Sequence, residues 1–396
     1  MLKAFSLVAV ASLVSNIALA QAEKPIRIGV MSDFQGVFSD VAGKGSQIGA
    51  QMAVDEFGGK VLGRPVEIIV GDHQNKPDIG ANIARKWFEV DGVEMVTDMI
   101  VSSVALAVQE VARSRKKVMM YSGAGAEDLF GKSCYTGGFV WSLNTYSMAT
   151  VAGEAMVDEG ADSWYIISQD SVFGRSLEND LNNVLDAKKT KVLGLSRFPI
   201  TNHDFSSFLL KAQASKAKVI ALTAGDLPSA MKQANEFGIL EGGQKVTSLM
   251  VWLPMIHSVG LDVAKGLYVT SSFYWDLNPE TRAWATKFYE RAGFMPSMTH
   301  AGSYSATKHY LKAIQAAGTV DSDKVIPTIR ALPVDDATAK GTVRGDGLLA
   351  RDFYLFQVKQ PSESKSAWDL YRLVRTVGPG RSVPPIEKSA CATAKQ

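Results

Sequence analysis

From Lys24-Pro25 onward, short apolar runs alternate with amphipathic stretches, the pattern of strand–helix units feeding a parallel sheet. Residues 26–30 read as a first strand. A Gly-rich loop to Gly45 leads into a helix carrying Ile48, Met52 and Phe57, and 66–70 is a second strand rich in β-branched residues. Ile79, Ile83, Trp87 and Val90, spaced four, four and three apart, put one apolar stripe on the next helix. The pattern then predicts a strand over 94–101, a helix over 104–112 and a strand over 118–121.

A second series begins with a helix over 147–158 and a strand over 164–168, whose following helix buries Phe173, Leu177, Leu181 and Val184. Further strands are predicted at 191–198, 219–223 and 246–252, with helices at 205–214 and 228–237 between them. Residues 279–292 and 305–316 read as long helices without an intervening strand, and 353–358 and 368–374 as strands separated by a polar turn. Beyond Gly378 the chain, with Pro379, Pro384 and Pro385, carries little periodic signal and is expected to be irregular. Two α/β lobes follow from this order of elements.

The N-terminus adds a location. Met1-Leu2-Lys3 precedes an uncharged run over 4–19 that ends in Ala18-Leu19-Ala20, a small-x-small cleavage pattern, so 1–20 reads as a secretory signal peptide. The run is broken by Ser12, Ser15 and Asn16 and is shorter than the roughly 20 apolar residues of a spanning helix. The mature chain is therefore expected to be a soluble exported protein. Export would place Cys134 and Cys391 in an oxidising compartment, where they either bridge and pin the C-terminal tail or stay as two inert thiols.

Composition and motifs mainly exclude. The length of 396 residues suits two or three domains, and 46% apolar with 21% charged residues is ordinary for a globular chain. Lys and Arg number 42 against 40 Asp and Glu, so no concentrated positive field is available for nucleic acid. The stretch from Ala126 to Ser133 lacks the first glycine of a phosphate-binding loop, and in Gly43-Lys44-Gly45-Ser46-Gln47-Ile48 the isoleucine fills the third glycine position of a dinucleotide fingerprint. His73, His203, His257, His300 and His309 are scattered without ligand spacing, so no metal or cofactor is expected. Neither Gly174-Arg175-Ser176 nor Gly302-Ser303-Tyr304 completes a nucleophile elbow. Arg113-Ser114-Arg115-Lys116-Lys117 is explained as a helix end where cations complement the dipole.

Two loops that follow strands carry small polar residues: Ser102-Ser103, and Ser122-Gly123-Ala124-Gly125. In open α/β sheets ligands bind outside the carboxyl ends of strands, where hydroxyls and backbone N–H groups suit an anion; ordinary βα turns are the alternative. With the leader and the two-lobe pattern, these residues make the chain resemble the periplasmic solute-binding proteins of ABC importers, and more narrowly the branched-chain amino acid (Leu/Ile/Val) binding family. The resemblance is carried by Ile26 to Val30 with Phe38-Ser39-Asp40, by Asp72 to Pro77, and by the two loops. Asp170-Ser171-Val172-Phe173-Gly174, Lys232-Gln233-Ala234 before Phe237-Gly238, and Gly266-Leu267 complete it.

The resemblance implies an α/β, two-lobed type I periplasmic-binding-protein fold, each lobe a parallel-sheet sandwich, joined by three hinge crossings. Lobe one would be 24–142 plus 275–339, lobe two 143–274 plus 340–378, and 379–396 an irregular tail. It also implies that Ser102, Ser103, Ser122, Gly123, Ala124 and Gly125 hold the ligand carboxylate, that Phe38 and Phe173 cover its apolar part from opposite lobes, and that Asp226 lies in the second lobe's rim.

One departure bears on the ligand. Where amino-acid binders of this family place a glutamate for the ligand ammonium, this chain runs Trp252-Leu253-Pro254-Met255-Ile256-His257, with no acid. A buried ammonium without a counter-charge is costly, so an amino acid would need another carboxylate, such as Asp170 or Asp226. Tyr146, Trp252, Tyr274 and Trp275, with Met255, enrich the expected hinge and cleft in groups that pack against a flat apolar body, although aromatics also fill cores. The expectation is capture, without catalysis, of a small carboxylate with an aromatic or apolar body, ahead of leucine-like amino acids, and its delivery to an inner-membrane ABC permease. The rivals are a sensing module of the same fold that regulates a partner, and an exported α/β enzyme, which would need a nucleophile–base pair or metal cluster.

Overall fold

A computed structural model describes residues 24–394; the expected signal peptide lies outside the described residues. The buried apolar runs form two parallel sheets. The first holds Ile26–Ser32 (β1), Lys60–Val61 (β2), Arg64–Asp72 (β3), Val93–Asp98 (β4), Val118–Tyr121 (β5) and Gly138–Val140 (β6) in the order β2-β3-β1-β4-β5-β6. Only the β2–β3 hairpin is antiparallel. The second holds Ser163–Gln169 (β7), Lys191–Phe198 (β8), Val219–Leu222 (β9) and Lys245–Ser248 (β10), all parallel, in the order β10-β9-β7-β8.

These orders fix where a ligand can sit. From β1 the chain first builds to one side, through β3, and then crosses to the other, to β4; from β7 it goes to β8 and then back across to β9. Each sheet thus has one switch point, β1/β4 and β7/β9, where the loops leaving the carboxyl ends diverge and open a crevice.

Helices Gly43–Glu56 (α1), Pro77–Lys86 (α2) and Ser102–Ser114 (α3) cover the first sheet, and Thr145–Asp158 (α4), Val172–Ala187 (α5), Ser206–Ala214 (α6) and Leu227–Glu236 (α7) the second. Their starts are written locally. Asn144 accepts from Ser147 N, Ser171 from Gly174 N, and Asp226 from Ser229 N with Pro228 in the first turn. After Leu253–Val259 (α8) and Leu261–Ala264 (α9), Tyr268–Ser271 (β11) starts a third, antiparallel sheet on the second lobe. Pro279–Ala292 (α10), Met298–Ala317 (α11) and Ser322–Ala331 (α12) return to the first lobe. There α11 lies so close to α1 that a Cβ on Gly49 would stand 2.5 Å from the His300 carbonyl oxygen.

Val334–Asp335 (β12), Lys340–Val343 (β13) and Leu349–Arg351 (β14) form a small antiparallel sheet, and Phe353–Val358 (β15) and Tyr371–Val377 (β16) complete the order β11-β15-β16. The expected return to lobe two at 340 is corrected by this pairing. β13 pairs with β12 and β14, and Val140 bridges Leu348, so the chain stays with the first sheet until Arg351. The other passages lie between Val140 and Thr145 and between Ser271 and Pro279. Buried Arg351 ties two of the three together, its Nη2 donating to the Ser272 and Thr338 carbonyls at 2.7 and 2.8 Å.

Several bounds move for identifiable reasons. The strand expected to reach 101 stops at Asp98, because Asp98 and Met99 adopt φ of 80° and 56° and turn the chain into α3. The strand expected over 246–252 ends at Ser248, and α8 follows from Leu253 with Pro254 in its first turn. The last strand runs over Tyr371–Val377 rather than 368–374. β2, β6 and β12 to β14, two to four residues each, are too short to carry an alternation.

The tail is mostly irregular, with one helical turn at Pro379–Ser382 and a 3-10 turn at Ile386–Lys388. It runs from β16 on the second lobe back to the first, where Cys391 is disulfide-bonded to Cys134 with Cα atoms 5.6 Å apart. On the way Ser147 Oγ donates to the Ser382 carbonyl at 2.5 Å and Arg344 Nη1 to the Pro384 carbonyl at 2.6 Å. The bridge makes the tail a further tie between the lobes. Cys391→Ser is expected to cost about 2 kcal/mol, near the lower end for disulfide loss because the tail keeps its other bonds, and to expose the tail to proteolysis. An unchanged melting temperature and tail cleavage rate would count against the strap.

Candidate functional site: a cleft between the lobes

Both switch points contribute to one cleft. From the first lobe, the loop after β1 brings Val37, Phe38, Asp40 and Val41, and the turn after β4 brings Ile100, Val101, Ser102 and Ser103. From the second, the end of β7 and start of α5 bring Gln169, Ser171 and Phe173, and the loop after β9 brings Gly225 and Asp226. Two cavities result. A narrow one of about 20 Å³ lies between Ser102, Ser103, Phe38, Phe173 and Gln169; a wider one of about 270 Å³ lies beyond Phe38, against His203, Asp226 and Met255. Phe38, Gln169 and Ile200 line both.

The first-lobe wall is built by hydrogen bonds to backbone. Asp33, 1% exposed, accepts from Gly36 N at 2.6 Å, Phe38 N at 3.1 Å, Gln35 N at 3.3 Å and Asn75 Nδ2 at 2.8 Å, which fixes the loop that carries Phe38. Ser102 opens the 13-residue helix α3 and its Oγ accepts from Ala126 N at 3.3 Å; Ser103, half-buried, is the next residue of that first turn. A helix start at a carboxyl-end crevice presents backbone N–H groups to negative charge.

The second-lobe wall carries Asp226, across the wider cavity from Asp40 of the first lobe. Asp226 Oδ2 accepts from Ser229 Oγ at 2.6 Å and lies 2.7 Å from His203 Nδ1, while Oδ1 accepts from Ser229 N at 3.1 Å. Burial acts to raise the Asp226 carboxyl, but the hydrogen bonds from Ser229 and His203 outweigh it and hold the group below the usual carboxylate range. Asp226 is thus an anion facing the wider cavity.

Of the residues singled out from sequence, Phe38, Ser102, Ser103, Phe173, Asp226 and Met255 line one or other cavity. The rest lie outside both. Ser122 is fully buried with Oγ 2.7 Å from Ser303 Oγ on α11. A Cβ on Gly123 would meet the Asp98 carboxylate at 2.6 Å, Gly125 packs on Leu143, and Ala124 is buried beside them. Asp170 turns outward to Arg175, Oδ1 to Nη2 at 2.6 Å, and half-buried Tyr146 sits in the first turn of α4. Trp252 touches Phe38 edge-on but is 2% exposed, with Nε1 donating to Thr299 Oγ1 at 3.1 Å across the lobes. Tyr274 and Trp275 both donate to the Trp368 carbonyl and pack in the second lobe.

Gln169, Ile200 and His203 were not foreseen. Gln169 ends β7 at the second switch point, so strand order would have found it; Ile200 and His203 lie in a loop without periodic signal. The buried histidines hold backbone rather than ligand: His300 Nδ1 accepts from Ser297 N in a capping box and Nε2 lies 3.2 Å from the Ala42 carbonyl. Among the described residues no group of three or more His, Cys, Asp or Glu side chains could hold a metal ion, and no helix is long and apolar enough to cross a membrane.

Known proteins share this arrangement. The periplasmic binding protein family profile matches residues 25–365. A periplasmic binding protein from Burkholderia mallei is 39% identical, with TM-score 0.91 over 94% of this chain and 99% of that one. A branched chain amino acid ABC transporter periplasmic ligand-binding protein from Burkholderia xenovorans is 37% identical, with TM-score 0.85 over 93% and 100%. The Leu/Ile/Val-binding protein BraC3 of Rhizobium johnstonii is 25% identical over 367 residues, 88% of this chain and 95% of that protein. Two hinged α/β lobes with a cleft at their facing switch points, and relatives that match nearly end to end, place the chain in the periplasmic binding protein family, among the ABC-transporter substrate-binding proteins of its Leu/Ile/Val-binding branch.

Proposed function

We propose that the protein captures a small carboxylate with an aromatic or apolar body, by closure of the two lobes, and hands it unaltered to an inner-membrane ABC permease. The observation that carries this reading is the narrow cavity. Ser102 and Ser103, at the start of α3, face Phe173 and Gln169 of the other lobe, with Phe38 and Ile200 as apolar walls. A carboxylate there meets helix-start N–H groups and hydroxyls on one side, and only the closed form adds the second lobe's contacts, so ligand favours closure. The absence of an acid over 252–257 supports a ligand without an ammonium. A binding role fits a cleft in which the hydroxyl beside the His203–Asp226 pair, Ser229 Oγ, donates to the carboxylate at 2.6 Å and not to the imidazole.

A leucine-like amino acid is the second reading, supported by Asp226 and Asp40 in the wider cavity and by the ligand named for the Burkholderia xenovorans and Rhizobium johnstonii relatives. Calorimetry against benzoate, 4-hydroxybenzoate and leucine separates the two. Ser103→Ala is expected to weaken benzoate binding about tenfold, the loss of one charge-assisted hydrogen bond, without lowering the melting temperature. Tight leucine binding with no response to the aromatic acids would replace the first reading by the second.

A further inference from the structure

Gln169 is the residue of the cleft whose chemistry is left incomplete. It is 3% exposed at the end of β7, and its side-chain Nε2 has no hydrogen-bond partner. Everything else about it is held. Its backbone N donates to Thr223 Oγ1 at 3.1 Å, and its Oε1 accepts from Ser171 Oγ at 2.8 Å. Ser171 Oγ already accepts from Gly174 N as the cap of α5, which leaves its own proton to donate. The Gln169 amide is placed with its oxygen toward Ser171 and its NH₂ away from it.

The residue stands at the cleft. Gln169 lines the narrow cavity and the wider one, at the wall the two share with Phe38 and Ile200. Its Nε2 stands 3.8 Å from where a Cβ on Gly225 would be, and Gly225, at φ 111° with that Cβ 2.9 Å from the Phe198 ring, leaves the approach open. A buried amide donor without a partner is rare because it forfeits its hydrogen bonds to water, and at a ligand cleft an acceptor on the ligand supplies what is missing where no ordered water does.

We infer that Gln169 is a specificity-determining ligand contact, its amide donating to an oxygen, hydroxyl or carbonyl, on the end of the ligand remote from the carboxylate. The inference rests on the carboxylate reading above and narrows it. With the acid group at Ser102 and Ser103, the ligand body passes between Phe38 and Phe173, and its far end reaches the junction where Gln169 stands. The wider cavity behind, with Asp226 and His203, gives a hydroxyl held by Gln169 an acceptor for its own proton.

The test is calorimetry on the full mature chain with benzoate and 4-hydroxybenzoate. The wild type is expected to bind 4-hydroxybenzoate about tenfold more tightly than benzoate, a hydrogen-bonded polar group being read more strictly than an apolar one. Gln169→Met, close in length and without the donor, is expected to erase that ratio, the readout being the ratio of the two affinities and not the benzoate affinity itself. Should its melting curve show it unfolded, Gln169→Asn, which withdraws the amide by one methylene, reads the same ratio. Equal wild-type affinities for the two acids, or a parallel loss of both in the variant, overturn the assignment and leave the carboxylate reading standing. Failure of both acids to bind overturns both.

Discussion

Asp33→Ala is expected to weaken ligand binding between about tenfold and a hundredfold and to lower stability by about 3 kcal/mol, although Asp33 lines neither cavity. Its carboxylate collects three backbone N–H groups, those of Gln35, Gly36 and Phe38, together with the Asn75 amide. Hydrogen bonds to a charged acceptor contribute about 1.5–3 kcal/mol each, and their removal orphans the donors as well. The loop is built around this anchor so closely that a Cβ on Gly36 would stand 2.5 Å from it. Phe38, 6% exposed between the two cavities, is the side chain whose position depends on it. Asn in place of Asp should do little better, because its NH₂ would oppose N–H groups. Calorimetry and urea unfolding on Asp33→Ala beside Phe38→Ala check this; an Asp33→Ala protein that binds as wild type would show that the loop is held by other means.

The parts of the fold that were legible are those fixed by local pattern. The β1, β3, β7 and β9 runs and their helices follow from apolar periodicity, and with a parallel sheet they imply crevices at carboxyl ends. What the pattern leaves open is which crevice. Ser122 ends up against Ser303 because β5 lies one strand beyond the β1/β4 switch point, so its loop runs back under α11 instead of opening to the other lobe. Asp170 and Gln169 differ by one position, and in an extended chain that sends them to opposite sides: Asp170 out to Arg175, Gln169 into the cleft. The stretch 340–351 alternates well enough to suit either lobe. Its place was decided by Val140 against Leu348, more than 200 residues apart, which no local window contains. Trp252, Tyr274 and Trp275 illustrate the same ambiguity in aromatics, since a ring that stacks on ligand and one that fills a core have the same sequence signature.

Asp98→Asn is expected to stabilise the protein by about 4 kcal/mol at pH 8 and scarcely at all at pH 4. Asp98 is fully buried at the end of β4, and burial raises its carboxyl to about 7; Asp33 adds to the rise, while the Ser32 and Ser46 hydroxyls pull the other way without forming a well-aligned hydrogen bond. Asp180, buried beside Thr145 and Glu127, is likewise raised to about 7. Between about pH 4 and 7 both groups keep their protons when folded and lose them when unfolded, so the unfolded state binds fewer and stability falls as pH rises. Four histidines act in the opposite sense, His257 and His309 being lowered by burial as well. Burial lowers His300 to about 3 and, against the pull of Asp33 and Asp72, His73 to about 4, so below about pH 6.5 the unfolded chain binds protons that the folded chain refuses. From about pH 4.5 to 6.5 the raised carboxyls and the lowered histidines therefore pull the wild-type stability in opposite directions. Removing Asp98 takes away one raised carboxyl, and the variant should gain on the wild type with rising pH across that window and hold its advantage above it. Urea unfolding at pH 4.5, 6 and 8 reads this directly. A variant whose difference from wild type is the same at all three values would mean that Asp98 ionises in the folded protein as it does in the unfolded chain.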